Sequence, residues 1–493
     1  MIEFSFLRAA CCLALLAAAP ILVAAGFEPA RPTMPGEPVS LEGEIAVLSL
    51  KEAIFIGLDG NTAIRDAYRE RIAQKTELEA AENRFFPKFS INSRHVASQN
   101  PGDNSSQTEF SPTATLQSEY GTQFSLSWNN RITQSARAGY SRNDGTRFTV
   151  TQPLLRGAKR DVVTAPVRLA RMTDQINRLK LKATVSDVVT QIVIAYNDIL
   201  RFQEQLRLTG QALMHSRREL SDIGHMIAAG YWRDYDFAQI EAEVANQELS
   251  LEEATNQFDA GRRKLSHLLG LNPETKIRAA GPPEVHRIKT SLAQALATAR
   301  ERQPAYLIQT IVVEQAGVKL AVARDQQQWD VSLVGGSSQA RDRFMGANGR
   351  QTSENRENHA GIKIDIPFGD VSRRQTEVRA RVEAKTQGER LIEARRALER
   401  DIGDTVRELD MRWRQYEAAR RAFDLSRRKL EIERERLRDG LSSSIRILTC
   451  ESDLRNAEIA RLGALLAYRN AQAVLDRAQG ATLESWEIAL NDG

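Results

Sequence analysis

The chain has 493 residues, enough for two or three ordinary domains, yet aromatics make up only 6% of it and charged residues 27%. That balance suits long helices with thin apolar seams better than a compact enzyme. The net charge is +4, with Arg and Glu interspersed and no basic block, so nucleic-acid binding is not implied.

Residues 1–25 read as a secretory signal peptide: Arg8, the apolar run Ala9 to Ala25, and Val23-Ala24-Ala25 as a small-residue cleavage site. A transmembrane anchor is the alternative, on a run somewhat short for spanning. Cys11 and Cys12 would leave with the signal. Cys450 alone can then form neither an internal disulfide nor a metal cluster. No other stretch is apolar enough for a membrane helix, so any spanning would be by strands.

Residues 26–48, with Pro29, Pro32, Pro35 and Pro38, form an extended, poorly ordered lead-in. Ser49 followed by Glu52 is a capping box that opens a helix running to about Phe86, where Pro87 stops it. Strand alternation follows across 87–153, in Phe89 and Ile91, in Phe124, Leu126 and Trp128, and in Phe148 and Val150. A coiled-coil hairpin over 158–271 comes next, folded at Gly230. Val185, Ile192, Ile199, Leu206, Leu213, Leu220 and Ile227 ascend at heptad spacing, and Phe237, Val244, Leu251, Phe258 and Leu265 return. Residues 272–290 are a linker, marked by Asn272-Pro273 and Gly281-Pro282-Pro283.

The same unit then recurs over 291–478. Ser49-Leu50 to Ser90-Ile91 matches Ser291-Leu292 to Ser332-Leu333 at an offset of 242. The heptads return 210 residues on, through Ile402, Leu409, Tyr416, Phe423, Leu430 and Leu437, around Gly440, and back through Ile447, Leu454, Tyr468 and Leu475, with Arg461 alone breaking register. Its strand region is 329–367, its coiled-coil hairpin 371–478, and 479–493 is an irregularly patterned tail. A repeat this long is a duplicated structural unit, not a solenoid period.

The first ascending helix, about 158–229, would be roughly 108 Å long at about 1.5 Å per residue. The two shorter helices of its half nearly add up to that length and can stack end to end beside it. Each half offers at least one β-hairpin, too few strands to close alone, since membrane barrels begin at about eight. Either several chains pool their strands, or the hairpins are soluble caps on a rod.

These residues together resemble the TolC-like outer-membrane efflux proteins: Ser49-Leu50-Lys51-Glu52-Ala53 opening a helix, Phe86-Pro87 ending it, Gln152-Pro153-Leu154-Leu155-Arg156-Gly157 after the strands, Ala229-Gly230-Tyr231 at the turn, and the whole arrangement duplicated. The resemblance implies a mainly α chain with a membrane β-barrel. It implies a homotrimer in which twelve strands form one outer-membrane barrel and twelve helices a periplasmic tunnel, opened when a periplasmic adaptor protein and an inner-membrane pump dock. Its role would be the exit duct of a tripartite efflux or type I secretion system, with outer-membrane lipid around it and no enzymatic activity. The competing reading is a periplasmic coiled-coil scaffold or adaptor without a barrel. Two departures stand out. The family's Asn-Pro after the opening turns is Asn61-Thr62 here, with proline kept only at Gln303-Pro304. The first strand region is also about 28 residues longer than the second, the offset falling from 242 to 214, an excess expected as an extra external hairpin around Thr113 to Ile132.

No catalytic, cofactor or metal constellation is present: His95, His215, His225, His267, His286 and His359 have no ligand spacing. The candidate functional residues lie at the two turns. Gly230 and Gly440 allow tight reversal. Asp236 and Arg446 both stand six residues past their glycine, at the position that the resemblance puts at the gated periplasmic entrance. An Asp236 to Arg446 latch is the expectation, against two unrelated surface charges. Tyr231, Trp232, Leu441 and Ser442 at the tips are where an adaptor hairpin could pack, against ordinary capping.

Overall fold

A computed structural model describes residues 46–100, 103–137, 139–228, 234–281, 285–346, 349–366 and 368–490. The expected signal peptide and most of the lead-in fall outside these residues.

A three-residue strand, β1 (Ala46–Leu48), leads into α1 (Leu50–Gly60) and α2 (Thr62–Glu82). The sheet strands β2 (Lys88–Asn100), β3 (Asp103–Gln117), β4 (Gln123–Ser135) and β5 (Gly139–Pro153) follow, then the 64-residue helix α3 (Ala165–Ala228) and α4 (Asp234–Leu269). The second half runs β6 (Ile277–Ala279), α5 (Leu292–Arg302), α6 (Pro304–Asp325), β7 (Asp330–Gly346), β8 (Gly349–Asp365), the 68-residue α7 (Val371–Arg438), α8 (Ser444–Gln479) and α9 (Thr482–Ser485).

The capping box is formed. Ser49 Oγ accepts from Glu52 N, Glu52 Oε2 accepts from Ser49 N at 2.8 Å, and Ser291 Oγ caps α5 in the same way through Gln294 N at 3.2 Å. The single opening helix expected in each half is broken in two. Asn61 takes an extended backbone, accepts from Ala63 N and Ile64 N at its side-chain oxygen, and so restarts the helix as an N-cap. Gln303 does the same 242 residues later, accepting from Tyr306 N with Pro304 in the first turn. The missing proline of the first half therefore costs the break nothing, because the cap alone stops α1.

The breaks lie where rods meet end to end. Asn61 Nδ2 donates to Leu268 O at 2.8 Å, joining the α1–α2 break to the end of α4. There a Cβ on Gly60 would strike the Leu269 carbonyl, and one on Gly270, which has φ +69°, would strike Gly60 O. At the equivalent joint, a Cβ on Gly480 (φ +71°) would strike Arg302 O. The helices thereby form four parallel tracks in the order α1–α2 over α4, then α3, then α5–α6 over α8, then α7. Most of the packed core lies along α3, where Val185, Val189, Ile192, Ile199 and Tyr196 are fully buried against α1, α4 and β1.

Three boundaries differ from expectation. The lead-in ends in β1, which pairs in parallel with β6 inside the stretch expected to be a plain linker. Strands of three residues separated by more than two hundred leave no local pattern. Tyr196 locks this pair from beneath, its hydroxyl donating toward Leu48 O at 2.8 Å and Ala280 O at 3.1 Å. The tail forms α9, and Leu483, Trp486, Ile488 and Leu490 close over the core. Finally, α6 is 22 residues long and apolar enough, by length and composition, to cross a membrane, contrary to the sequence reading; here it packs between α3 and α7.

The strands form one antiparallel six-stranded sheet in the order β2-β3-β4-β5-β7-β8. The excess of the first half is the hairpin of β3 and β4, hydrogen-bonded into the sheet on both sides. Twelve strands shared among three chains would be four each; this sheet has six among the described residues.

Candidate functional site

The sheet has two chemically distinct faces. Register puts Phe89, Ile91, Phe110, Leu126, Trp128, Phe148, Leu333, Ile362 and Ile364 on one face, all exposed, in its helix-proximal half. Phe110 and Trp128 stack edge to face at 6.0 Å. The opposite face at the same height carries Lys88, Ser90, Thr113, Ser125, Ser127, Thr149, Ser332 and Lys363. Period-two alternation, apolar on one side and polar on the other across every strand, is the pattern of a wall between lipid and water. At the base of the sheet Phe86, Tyr120, Trp329 and Phe368 are exposed, the last at 90%, as in an interfacial aromatic girdle. Contiguous apolar surface on this scale is uncommon on soluble monomers.

Farther from the helices the outer face turns polar, with Arg142 beside Asp144 at 3.0 Å and Arg341 paired with Glu354. The sheet is fastened to the rods at its base. Arg156 meets Asp330 at 2.5 Å, Gly157 N donates to the buried Asp325 carboxylate at 2.8 Å, and Arg160 holds Glu119 in the β3–β4 turn at 2.6 Å.

At the far end of the rods, the second tip is described in detail. Gly440 takes φ +73° and closes α7, with Gly440 N on Leu437 O and Leu441 N on Arg436 O. Leu441 stands 67% exposed. Ser442 Oγ donates to Glu433 Oε1 at 2.5 Å. Arg446 Nε approaches the same oxygen at 3.6 Å, and Arg436 the other at 3.7 Å. The Ser442 hydroxyl, then Arg436 and Arg446, hold the Glu433 carboxyl below its ordinary range. Lys429 to Asp453 at 2.8 Å and Arg434 to Glu451 at 2.8 Å tie the two legs of this hairpin together. Next to them Glu219 of α3 is pushed up, chiefly by burial and then by Glu451 and Asp222.

Gly230, Tyr231 and Trp232 lie outside the described residues, as does the Asp236 side chain. Ser442 and Arg446 come together on Glu433, which the sequence reading overlooked, while Gly440 and Leu441 form the turn beside it. Its signal was a carboxylate seven residues before the turn glycine with Arg436 three positions on. The register-breaking Arg461 is also accounted for: its guanidinium sits 4.4 Å over the Phe423 ring, so the seam continues through a cation–π contact. Among the described residues no group of three or more His, Cys, Asp or Glu could hold a metal.

No family model matches the chain. The cobalt-zinc-cadmium resistance protein CzcC of Cupriavidus metallidurans is 24% identical over 233 residues, 47% of this chain. That match spans about half of the curated relative, 52% of its length. Among solved structures, the open-state MtrE outer membrane channel of Neisseria gonorrhoeae superposes with TM-score 0.65 at 16% identity, covering 88% of this chain and 89% of that one. The CmeC outer membrane channel of Campylobacter jejuni gives 0.64 at 13% identity over 88% and 86%. The outer membrane protein VceC of Vibrio cholerae gives 0.61 at 15% over 87% and 96%. With stacked rods, duplicated hairpins and a two-faced sheet all in place, the fold of this chain is that of the TolC-like outer-membrane channel family.

Proposed function

We propose that this protein is an outer-membrane exit duct, without enzymatic activity, that passes cargo received from an inner-membrane pump and a periplasmic adaptor. One observation carries the reading: a sheet with an exposed apolar face and a polar reverse, mounted on rods and open at both edges. An unpaired edge inside a bilayer leaves backbone groups unsatisfied, so a lipid-facing sheet must be closed by further copies. The outermost helical tracks are also unpartnered on one flank each: α1–α2 over α4, whose chain runs on into β2, and α7, which follows β8. Exposed Phe55, Ile72 and Leu249 on one flank, and Val378, Val382 and Leu425 on α7, supply apolar surface for a neighbour. Three copies would give the twelve-track tunnel of the family.

Fractionation tests this directly. The mature protein should sediment with outer membranes and run in detergent as a trimer that dissociates only on heating. A monomer recovered in the soluble periplasmic fraction would favour the scaffold reading and sink the duct. The name of the curated relative makes divalent metal cations the first cargo to test, by the metal tolerance of a strain lacking this protein.

At the tip, the reading keeps Asp236 and Arg446 as gate residues and Gly230, Tyr231, Trp232, Gly440, Leu441 and Ser442 as the adaptor-facing surface. Arg446 already has a partner in Glu433 of its own hairpin, so a latch to Asp236 would compete with that pair. An exposed pair of this kind is worth at most about 1 kcal/mol, and a threefold ring would act through their sum.

A further inference from the structure

We propose that, in the trimeric duct inferred above, β8 of each copy pairs antiparallel with β2 of the next, closing an eighteen-stranded barrel as wide as the helical tunnel beneath it. The inference rests on that trimer and concerns the wall that it builds.

The partner at each edge is a second copy of this chain. β2 leaves the helical end and β8 returns to it, so neighbouring copies meet with the antiparallel sense that the other pairs of the sheet already have. Both edge strands carry the same facing as the interior of the sheet: Phe89 and Ile91 on β2 and Ile362 and Ile364 on β8 lie on the apolar side, and Ser90 and Lys363 on the polar side. Joining them extends the lipid face and the water face without a break. A β3–β4 hairpin hanging outside the wall would have no reason to alternate. Instead Phe110, Leu126 and Trp128 continue the apolar face, and both strands are hydrogen-bonded to wall strands on either side.

Width makes the same point. Four helical tracks at about 8–10 Å spacing cover roughly 32–40 Å of circumference per copy. Strands about 4.8 Å apart and tilted about 40° each cover about 6.3 Å. The six strands here then cover about 38 Å, matching the helices, whereas four would cover only about 25 Å. Three copies give a backbone diameter of about 36 Å, against about 24 Å for twelve strands. The barrel thus sits on the tunnel without a neck, and cargo wide enough to travel the tunnel meets no second constriction in the membrane.

The test uses the full chain in a Cys450→Ser background. Asn92→Cys on β2 is combined in turn with Lys363→Cys, Gly361→Cys, His359→Cys and Glu357→Cys along the water-facing row of β8. Oxidation carried to completion should convert one of these pairs into a covalent trimer that resists boiling in SDS. A covalent two-membered ring as the end product, twelve strands from two copies, would overturn the proposal. In the second arm, Leu126→Cys and Ser127→Cys are each exposed to a water-soluble maleimide in intact outer membranes. A wall position predicts that Leu126→Cys reacts at least ~10-fold more slowly than Ser127→Cys, because it faces lipid. Equal rates in a protein that still fractionates as an outer-membrane trimer would put β3 and β4 outside the wall, removing the eighteen strands while leaving the duct standing. Recovery as a soluble monomer would remove both.

Discussion

The two longest helices, α3 and α7, occupy equivalent places in the two repeats yet bury very different surfaces. α3 is packed from both sides, by α2 and α4 on one and α6 and α8 on the other, and its buried face is mainly Val, Ile, Leu, Ala and Tyr, with Ser186, Thr190 and Asn197 among them. α7 is packed from one side, and its buried residues reduce to a few, among them Leu398, Ile402, Leu409 and Leu430. The rest of its length is laced with pairs such as Arg381 to Glu377, Arg395 to Glu399 and Arg412 to Glu408. Duplicated helices have thus diverged by address: the inner track became core, and the outer track kept a wet face with scattered apolar residues, which the proposed trimer would set against a neighbouring copy. Pairs exposed at both ends, such as Arg395 to Glu399, add little stability, so in the trimer proposed above α7 would depend on its neighbour more than α3 does.

Substitutions can break this contrast or sharpen it. The largest effect is expected at the rod joint, where Gly270→Ala puts a Cβ into the Gly60 carbonyl at φ +69°. Ile192→Ala, at 0% exposure, should cost about 4 kcal/mol by emptying a fully packed site. Both should lower the unfolding temperature of the assembled protein in detergent, and an unchanged value for Ile192→Ala would refute α3 as the core. Next comes Asp476 of α8, whose carboxyl is pushed up to about 6, mainly by burial and against the Ser485 hydrogen bond. A raised carboxylate favours the folded state most below its unfolded value, and this contribution is lost as pH rises through about 6. Asp476→Asn should therefore stabilise the protein by about 3 kcal/mol at pH 8 and flatten the change between pH 4 and 7, read by melting across pH. Val382→Ala on α7 should leave the secondary structure intact by circular dichroism while shifting the trimer band toward monomer at lower temperature. The smallest effects belong to exposed charges. Arg412→Ala should change stability by less than about 0.5 kcal/mol, and Asp236→Asn with Arg446→Gln should raise single-channel conductance with little change in melting. Unchanged conductance would reject the latch.

What was legible beforehand follows from how local each signal is. Heptads, the Ser49–Glu52 box and the internal repeat are short-range or self-similar, and they point to the rods without help from tertiary contacts. The breaks at Asn61 and Gln303 were obscured because the helical patterns on both sides are continuous, and only the meeting with α4 or α8 makes a cap useful there. The pairing of β1 with β6 and the Tyr196 bridge depend wholly on contacts across the fold. Strand number sat between these extremes: the excess in the first half was visible as length, but only the ladders show two strands inside the sheet. At the tip, Glu433 was one charge among many on α7 until the hydroxyl and two guanidiniums converged on it.

The β3–β4 hairpin has one more implication. β2 runs outward and β5 inward, so if the intervening pair were deleted the remaining strands would still meet in the correct sense, and everything below the bilayer would keep its place. In the duct proposed above, the calibre of the pore could therefore be reset by gaining or losing a stave pair as a unit, with no redesign of the pump-facing end. On that proposal, such a chain would adjust the size of what leaves the cell independently of what is allowed to enter the duct.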